Sequence, residues 1–349
     1  MCKLQHYSVR GKALELLRSY LSSRSQFVKL NGVKSSLAGI DFGVPQGSIL
    51  GPLLFLIFIN DLPNASNFYI KLFADDTFLC AQNKDFAALE REVNIELDKV
   101  FIWLASNKLT LNTDKSKFMV VTNKRSIPKL SIKVNNIPLK TCDSYKYLGV
   151  MIDKNLDWKS HVKYISTKIS KACGALAKIR NCVSIDVLKN VYHALVHSYL
   201  RYGILVWGHA APSVLKPLEI LANKAIRIMT FAPFGAVDLK PVYKQLKILE
   251  VSKICLLETG KFEFKPQKEL LPTQICNHFA PQEILHSHAL RSRSRNDPPR
   301  FFSQTKIGEK SLQFKKNQKW DDIPSEVTNC EFFNVFKKNY KNFLIETTA

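Results

Sequence analysis

The sequence predicts an α+β fold, mixed at first and helical later. Over residues 1 to about 155, short runs rich in β-branched and aromatic residues alternate with stretches whose apolar residues recur at helical spacing. From Asp157 to about Cys255 the strand signal stops and long stripes of 3.6-residue period take over. Hydrophobic residues fill 46% of the 349 positions, enough to bury the cores of two or three domains. The expected division is a mixed region at 1–155, a helical region at 156–260, and a basic linker with a small helical tail at 261–349.

Gly11 to Tyr20 reads as a short helix with Leu14, Leu17 and Leu21 on one face. Phe27-Val28-Lys29-Leu30 and an extended Ala38-Gly39-Ile40 flank the turn signal Asn31-Gly32, which predicts a hairpin. Gly43-Val44-Pro45-Gln46-Gly47-Ser48 follows, and its glycines and proline force a tight turn with bare backbone. Ser48 is placed to cap a helix running through Leu53 to Ile59 and stopping near Asn60-Asp61-Leu62-Pro63. That apolar run falls short of the roughly 20 residues a bilayer requires. It reads as a buried core helix. Strands at Phe68–Leu72 and Thr77–Cys80 enclose Phe73-Ala74-Asp75-Asp76. A long helix from Asp85 to about Ser106 carries Phe86, Leu89, Val93, Leu97, Val100 and Leu104 as a core stripe. Further strands are expected at Phe118–Thr122, Leu130–Val134 and Tyr147–Ile152.

Between 158 and 180 one continuous helix is predicted. Trp158, Val162, Ile165, Ile169, Ala172, Leu176 and Ile179 form its apolar stripe, and Lys159, Lys163, Lys168, Lys171, Lys178 and Arg180 lie largely off it. His193 and His197, four apart on the next helix, can share a metal in principle, but no nearby acid or cysteine completes a site. Packing or a hydrogen bond is the expected use of both. Arg291 to Arg300 is basic, proline-bearing and without an apolar face, the pattern of a linker or loop able to hold RNA electrostatically. From Leu312 to Leu344, aromatics at Phe314, Trp320, Phe332, Phe333, Phe336 and Tyr340 predict a small helical unit.

Lys and Arg number 51 against 29 Asp and Glu, for a net charge of +22. Such an excess suits a polyanionic partner, because each phosphate contact releases counterions. The plainer alternative is a solvated basic surface. The 8 cysteines form no Cys-x-x-Cys pair, and Cys276-Asn277-His278 is too isolated for a zinc site. The cysteines read as free thiols of an intracellular protein, nuclear or cytoplasmic. The first residues carry no apolar signal segment, so neither secretion nor a membrane is expected.

The chemistry concentrates at Asp75 and Asp76. Adjacent carboxylates repel, and a fold tolerates them in water or around a cation. Hard oxygen ligands at a rigid turn suit Mg²⁺, and such a pair is half of a two-metal site for phosphoryl or nucleotidyl transfer. An ordinary solvated turn has the same appearance. The upstream glycines are not a Walker loop, since no Lys follows Gly47.

Four blocks taken together, GVPQGSILGPLLFLIFINDLP (43–63), KLFADDTFL (71–79), WLASNKLTLNTDKSKFMVV (103–121) and YKYLGVMIDKNLDW (145–158), resemble the reverse transcriptases of non-LTR, LINE-type, jockey-like retrotransposons in order and spacing. The resemblance implies a right-hand polymerase palm over 1–155, partial and without fingers. A helical thumb would follow, then the small helical tail. It implies RNA-directed DNA synthesis by two-metal nucleotidyl transfer with Mg²⁺ or Mn²⁺, acting on an RNA template, a DNA primer and dNTPs. Asp75 matches the metal-ligating hairpin acid and Asp76 its supporting partner. Phe73 matches the aromatic lining the nucleotide or primer. Gln46 and Gly47 match the loop near the templating pair, and Lys115 a lysine acting on the leaving pyrophosphate. Tyr147, Leu148 and Gly149, with Val150, match the primer-grip hairpin. The basic side chains of the 158–180 helix, Lys163, Lys171 and Lys178 above all, match a thumb surface along the nucleic-acid backbone.

The family takes a further metal-binding Asp from an earlier palm strand, which here would precede Met1. The first ten residues contain no acid, and neither Glu15 nor Asp41 matches the position. The chain therefore reads as an N-terminally truncated element, inactive by itself. The alternatives are a non-catalytic nucleic-acid-binding remnant and a maturase-like cellular relative.

Overall fold

The computed structural model describes residues 1–40, 43–45, 47–233, 235, 238–279, 305, 308–320 and 322–347. Gln46, Asp41 and the basic stretch 291–300 lie outside them. The fold mixes helices with antiparallel hairpins, as an α+β chain should, and separates into two compact units. The first comprises residues 1–118 and 123–142, the second 119–122 and 143–349.

The first unit begins with α1 (Cys2–His6) and α2 (Gly11–Leu21). Strand β1 (Arg24–Gln26) pairs with β4 (Ala38–Ile40), and β2 (Lys29–Leu30) pairs with β3 (Val33–Lys34). The Asn31-Gly32 turn does close a hairpin, with positive φ at both residues. Its second strand is Val33–Lys34 and not Ala38–Ile40, because a two-residue turn pairs only its immediate flanks.

Helix α3 spans Leu50–Ile59. Ser48 Oγ accepts from the Gly51 amide at 3.1 Å, but the residue that flanks the helix is Ile49, with αR backbone and no side-chain cap, so the cap expected at Ser48 lies one residue too early. The helix is not buried all round. Leu54 and Ile59 are covered, whereas Leu53 is 53% and Leu56 48% exposed. A run apolar on every face says nothing of which positions are covered, and here only some are. Leu54 packs with Leu4 and Leu14 of α1 and α2, while Ile59 joins a second core with Phe68, Ile70, Leu97, Val100, Ile132 and Val134.

Strands β5 (Tyr69–Phe73) and β6 (Asp76–Cys80) form an antiparallel hairpin, and α4 (Phe86–Ser106) follows. Asp85 caps α4, its carboxylate accepting from the Ala88 amide at 2.7 Å. Asp85→Ala should destabilise the first unit by about 1 kcal/mol in urea unfolding. No change would mean that another group satisfies that amide. Glu96, buried in α4, accepts from the Asn67 amide and from Lys99, which together hold its carboxyl below the ordinary range. The later strands are short: β7 (Lys117–Phe118), β8 (Lys133–Val134), β9 (Ile137–Pro138) and β10 (Lys140–Thr141). The strand expected at Phe118–Thr122 is thus only two residues long and pairs in parallel with β10.

The second unit opens with the hairpin β11 (Ser144–Tyr147) and β12 (Val150–Asp153). The continuous strand expected from Tyr147 to Ile152 is instead broken at Leu148-Gly149, where both residues have positive φ and the chain reverses. Helix α5 (Lys159–Ile179) then runs unbroken, with Val162, Ile165, Ile169 and Leu176 buried. Next come α6 (Ile185–Tyr192), a π-helical turn at His193–His197, α7 (Ser198–Arg201), α8 (Ile204–Trp207) and α9 (Pro212–Thr230), which packs along α5. Helices α10 (Lys240–Leu246) and α11 (Val251–Gln267) follow, then α12 (Thr273–Phe279), α13 (Leu312–Trp320), α14 (Ser325–Thr328) and α15 (Phe333–Glu346). The tail aromatics pack on α11: Phe264 stacks on Phe336 at 4.5 Å, and Trp320 lies 5.8 Å from Phe336. Gly260 lets α15 approach, since a Cβ there would sit 2.5 Å from the Tyr340 ring. Trp207, Tyr192, Phe264 and Phe336 are fully buried in one core.

Candidate functional site

The carboxylate pair sits where strand propensity on both flanks puts it. Phe73 pairs with Asp76, so Ala74 and Asp75 form a two-residue turn. Ala74 has φ +50, positive at the first central position as a primed turn requires. A non-glycine residue there holds the backbone in a strained region, as functional turns often do. Asp75 and Asp76 are both exposed, and Phe73 beside them is 62% exposed. The opposite hairpin face, through Ile70, Leu72 and Leu79, packs on the core that includes Ile59, Leu97 and Val100. That core fixes the hairpin and leaves its acidic tip in solvent.

Gly47 has φ +77 and nothing within 4 Å of where a Cβ would be, so the backbone at Gly47 is open to an approaching molecule. Lys115 is exposed on a turn whose backbone is anchored by Asn112, the Oδ1 of which accepts from the Lys115 amide at 3.1 Å. Among the described residues no group of three or more His, Cys, Asp or Glu side chains could hold a metal ion. Two adjacent carboxylates do not supply the ligands that two octahedral Mg²⁺ ions need. The donor set of the described residues therefore does not fit the complete two-ion centre. His193 and His197 stack edge to face at 5.1 Å, with burial lowering both pKa values.

Tyr147, Leu148, Gly149 and the lysines of α5 belong to the second unit. Lys163 and Lys171 are exposed and line a groove of about 880 Å³ between α5 and α9. Lys159, Ser166, Thr167 and Ser170 line it too, above an apolar floor of Val162, Val214, Pro217 and Leu221. Lys159 is ion-paired with Asp157 at 2.7 Å, which raises its pKa. Lys178 is exposed on the same helix but is not among the residues lining the groove. The hydroxyl row was missed in the sequence, although Ser166, Thr167 and Ser170 share the lysines' helical face. Tyr202 was missed too: its hydroxyl donates to the Leu148 carbonyl at 2.6 Å. The available signal was Gly203, directly after Tyr202, interrupting a helical pattern.

Residues 1–152 match the family described as reverse transcriptase (RNA-dependent DNA polymerase). The chain is 31% identical over 232 residues to the RNA-directed DNA polymerase from mobile element jockey of Drosophila melanogaster, an overlap of 63% of this chain and 25% of the relative. It is 28% identical over 223 residues to the probable RNA-directed DNA polymerase from transposon X-element of the same species, covering 62% and 24%. A retrovirus-related Pol polyprotein from type-1 retrotransposable element R1 2 of Nasonia vitripennis is 24% identical over 252 residues, 63% of this chain and 62% of that relative. The matched region thus spans about a quarter of the jockey and X-element proteins.

Proposed function

We propose, from the premise that this chain is a member of the LINE-type reverse transcriptase family, that it serves RNA-directed DNA synthesis by holding a primed RNA template. The carrying observation is Asp75 and Asp76 at the tip of an antiparallel hairpin, within the stretch that matches the family. On this reading Asp75 is the metal-ligating acid and Asp76 its support, and the family's divalent ions would be Mg²⁺ or Mn²⁺. Exposed Phe73 lines the nucleotide or primer, Gln46 and Gly47 approach the templating pair, and Lys115 meets the pyrophosphate. Tyr147, Leu148 and Gly149 contact the primer. The first unit acts as palm, α5 with its neighbours as thumb. Positioning and charge stabilisation are what such a protein supplies to nucleotidyl transfer.

The net charge of +22 and the Lys- and hydroxyl-lined groove favour binding of a phosphate backbone. Replacing Lys163, Lys171 and Lys178 together by Glu should weaken primer-template binding at least about tenfold at low salt and lower the slope of log affinity against log salt by about 2 to 3. Fluorescence anisotropy over a salt series measures both. Unchanged affinity at low salt would reduce the three lysines to solvated surface.

A second reading, a nucleic-acid-binding protein without polymerase chemistry, is favoured by one observation: the described residues place no third ligand with Asp75 and Asp76.

A further inference from the structure

The hairpin of β11 and β12 is held from outside at two points, by Tyr202 and His161, and both of these residues contact Trp207. Its turn is unusual in composition. Both central positions have positive φ, +44 at Leu148 and +82 at Gly149, a conformation that Asn-Gly takes readily and a leucine does not. Something must over-determine such a turn for it to persist. The Tyr202 hydroxyl donates to the Leu148 carbonyl at 2.6 Å, and its ring lies so close that a Cβ on Gly149 would meet Cε1 at 3.0 Å. The Met151 amide donates to His161 Nδ1 at 3.2 Å. The His161 ring lies 5.2 Å from that of Trp207, and the Trp207 indole N–H donates to the Tyr202 carbonyl at 2.9 Å. Gly203 closes the set, since a Cβ there would press on Val150 at 3.0 Å.

The buried members, His161 and Trp207, have an obvious use in packing. Tyr202 does not: it is 57% exposed, so little burial is gained by placing an aromatic ring there. What it does is hold one turn. We propose that Tyr202 is a positioning residue that locks the Leu148-Gly149 turn in its strained form for contact with a nucleic-acid strand. This rests on the assignment of Tyr147–Gly149 to primer contact above. The glycine is required because the latch occupies the space a side chain would need. The hydroxyl is required because only a donor can hold the outward carbonyl of Leu148.

The test uses the full chain and Tyr202→Phe, which keeps the ring and removes the hydroxyl. Amide exchange at residues 147–151 should accelerate about tenfold, the worth of one hydrogen bond, with exchange along α5 unchanged. Affinity of the folded protein for a primer-template duplex should fall by about five- to tenfold, on a salt slope parallel to that of the parent, because no charge is lost. Tyr202→Leu should repeat both effects more strongly, and if it fails to fold the phenylalanine variant still decides. Faster exchange with unchanged affinity would show a merely structural contact and overturn the positioning role while leaving nucleic-acid binding intact. Unchanged exchange would overturn the latch itself. A parent chain that does not bind the duplex would remove the functional assignment and the positioning role with it, an outcome separable from the others because it appears before any substitution is made.

Discussion

Offered a primed RNA template, dNTPs and either Mg²⁺ or Mn²⁺, the 349-residue chain is expected to retain the duplex and leave the primer unextended. Retention follows from a charge of +22 acting on a polyanion. The expected lack of extension follows from ligand count. A two-metal site fixes both ions by several carboxylates in set geometry, and the described residues bring no third metal-binding side chain to Asp75 and Asp76. Loss of such a centre removes the positioned charge on which nearly all of the phosphoryl-transfer rate depends, so the deficit is of several orders of magnitude and not a matter of degree. Supplying a palm strand with the additional Asp, as a fused segment, should restore extension, and Asp75→Asn should then abolish it. A gel of primer extension reads all three states. Robust extension by residues 1–349 alone, lost in Asp75→Asn, would show that this chain already contains the third ligand.

Acid should destabilise the second unit from about pH 6.5 downward, as the unfolded chain takes up protons at histidines that the fold buries. Burial pushes the His161 pKa down to about 4 from an ordinary 6.5. His197 is also lowered to about 4, by burial first and then by the charges of His193, Arg201 and Lys341. The unfolded chain binds protons at both residues as pH falls through 6.5, whereas the folded chain resists until about 4. Stability from these two groups is therefore complete above the unfolded value. It is lost between about pH 6.5 and 4, up to roughly 3 kcal/mol for each, and falls no further below that. His161 also loses its acceptor role on protonation, since Nδ1 takes the Met151 amide. His161→Asn keeps an acceptor near that position and removes the titration. Urea unfolding followed by tryptophan fluorescence at pH 7.5, 6, 5 and 4 should show the loss in the parent and a smaller one in the variant, which keeps the contributions of His193 and His197. A pH-independent midpoint across that range would mean that these histidines titrate normally.

Glu258 contributes only at the acid end. Burial raises its pKa, but Lys261 and Arg201, at 2.7 Å each, outweigh that and hold it below the ordinary range. Its stabilisation is present above the unfolded carboxyl value and fades below it, so it adds to the histidine effect only at the lowest pH of the series.

Much of this protein was legible in the residues alone. The stripe from Trp158 to Ile179 fixed the length and buried face of α5, because helical periodicity is set by local geometry. Asp75 and Asp76 could be placed at a hairpin tip because both flanking runs favour strands and only four residues, Phe73 to Asp76, separate them; the structure narrows the turn to Ala74 and Asp75. The apolar stripe from Phe86 to Leu104 gave α4 its bounds, and the structure adds that Asp85 caps it. The four ordered blocks indicated the family before any coordinate did.

What the tertiary structure alone decided is a matter of partners distant in sequence. Strand β4 pairs with β1 and not with its nearer neighbour, because register answers to which edges meet and not to propensity. Helix α3 is apolar on every side, so no periodicity in it could say that Leu54 and Ile59 are covered while Leu53 and Leu56 are not. That the Leu148-Gly149 turn is held by Tyr202, 54 residues away, shows in no local pattern. A local pattern records what a segment can do with its own backbone and one solvent. Which carbonyl meets which hydroxyl is fixed only when the chain closes on itself.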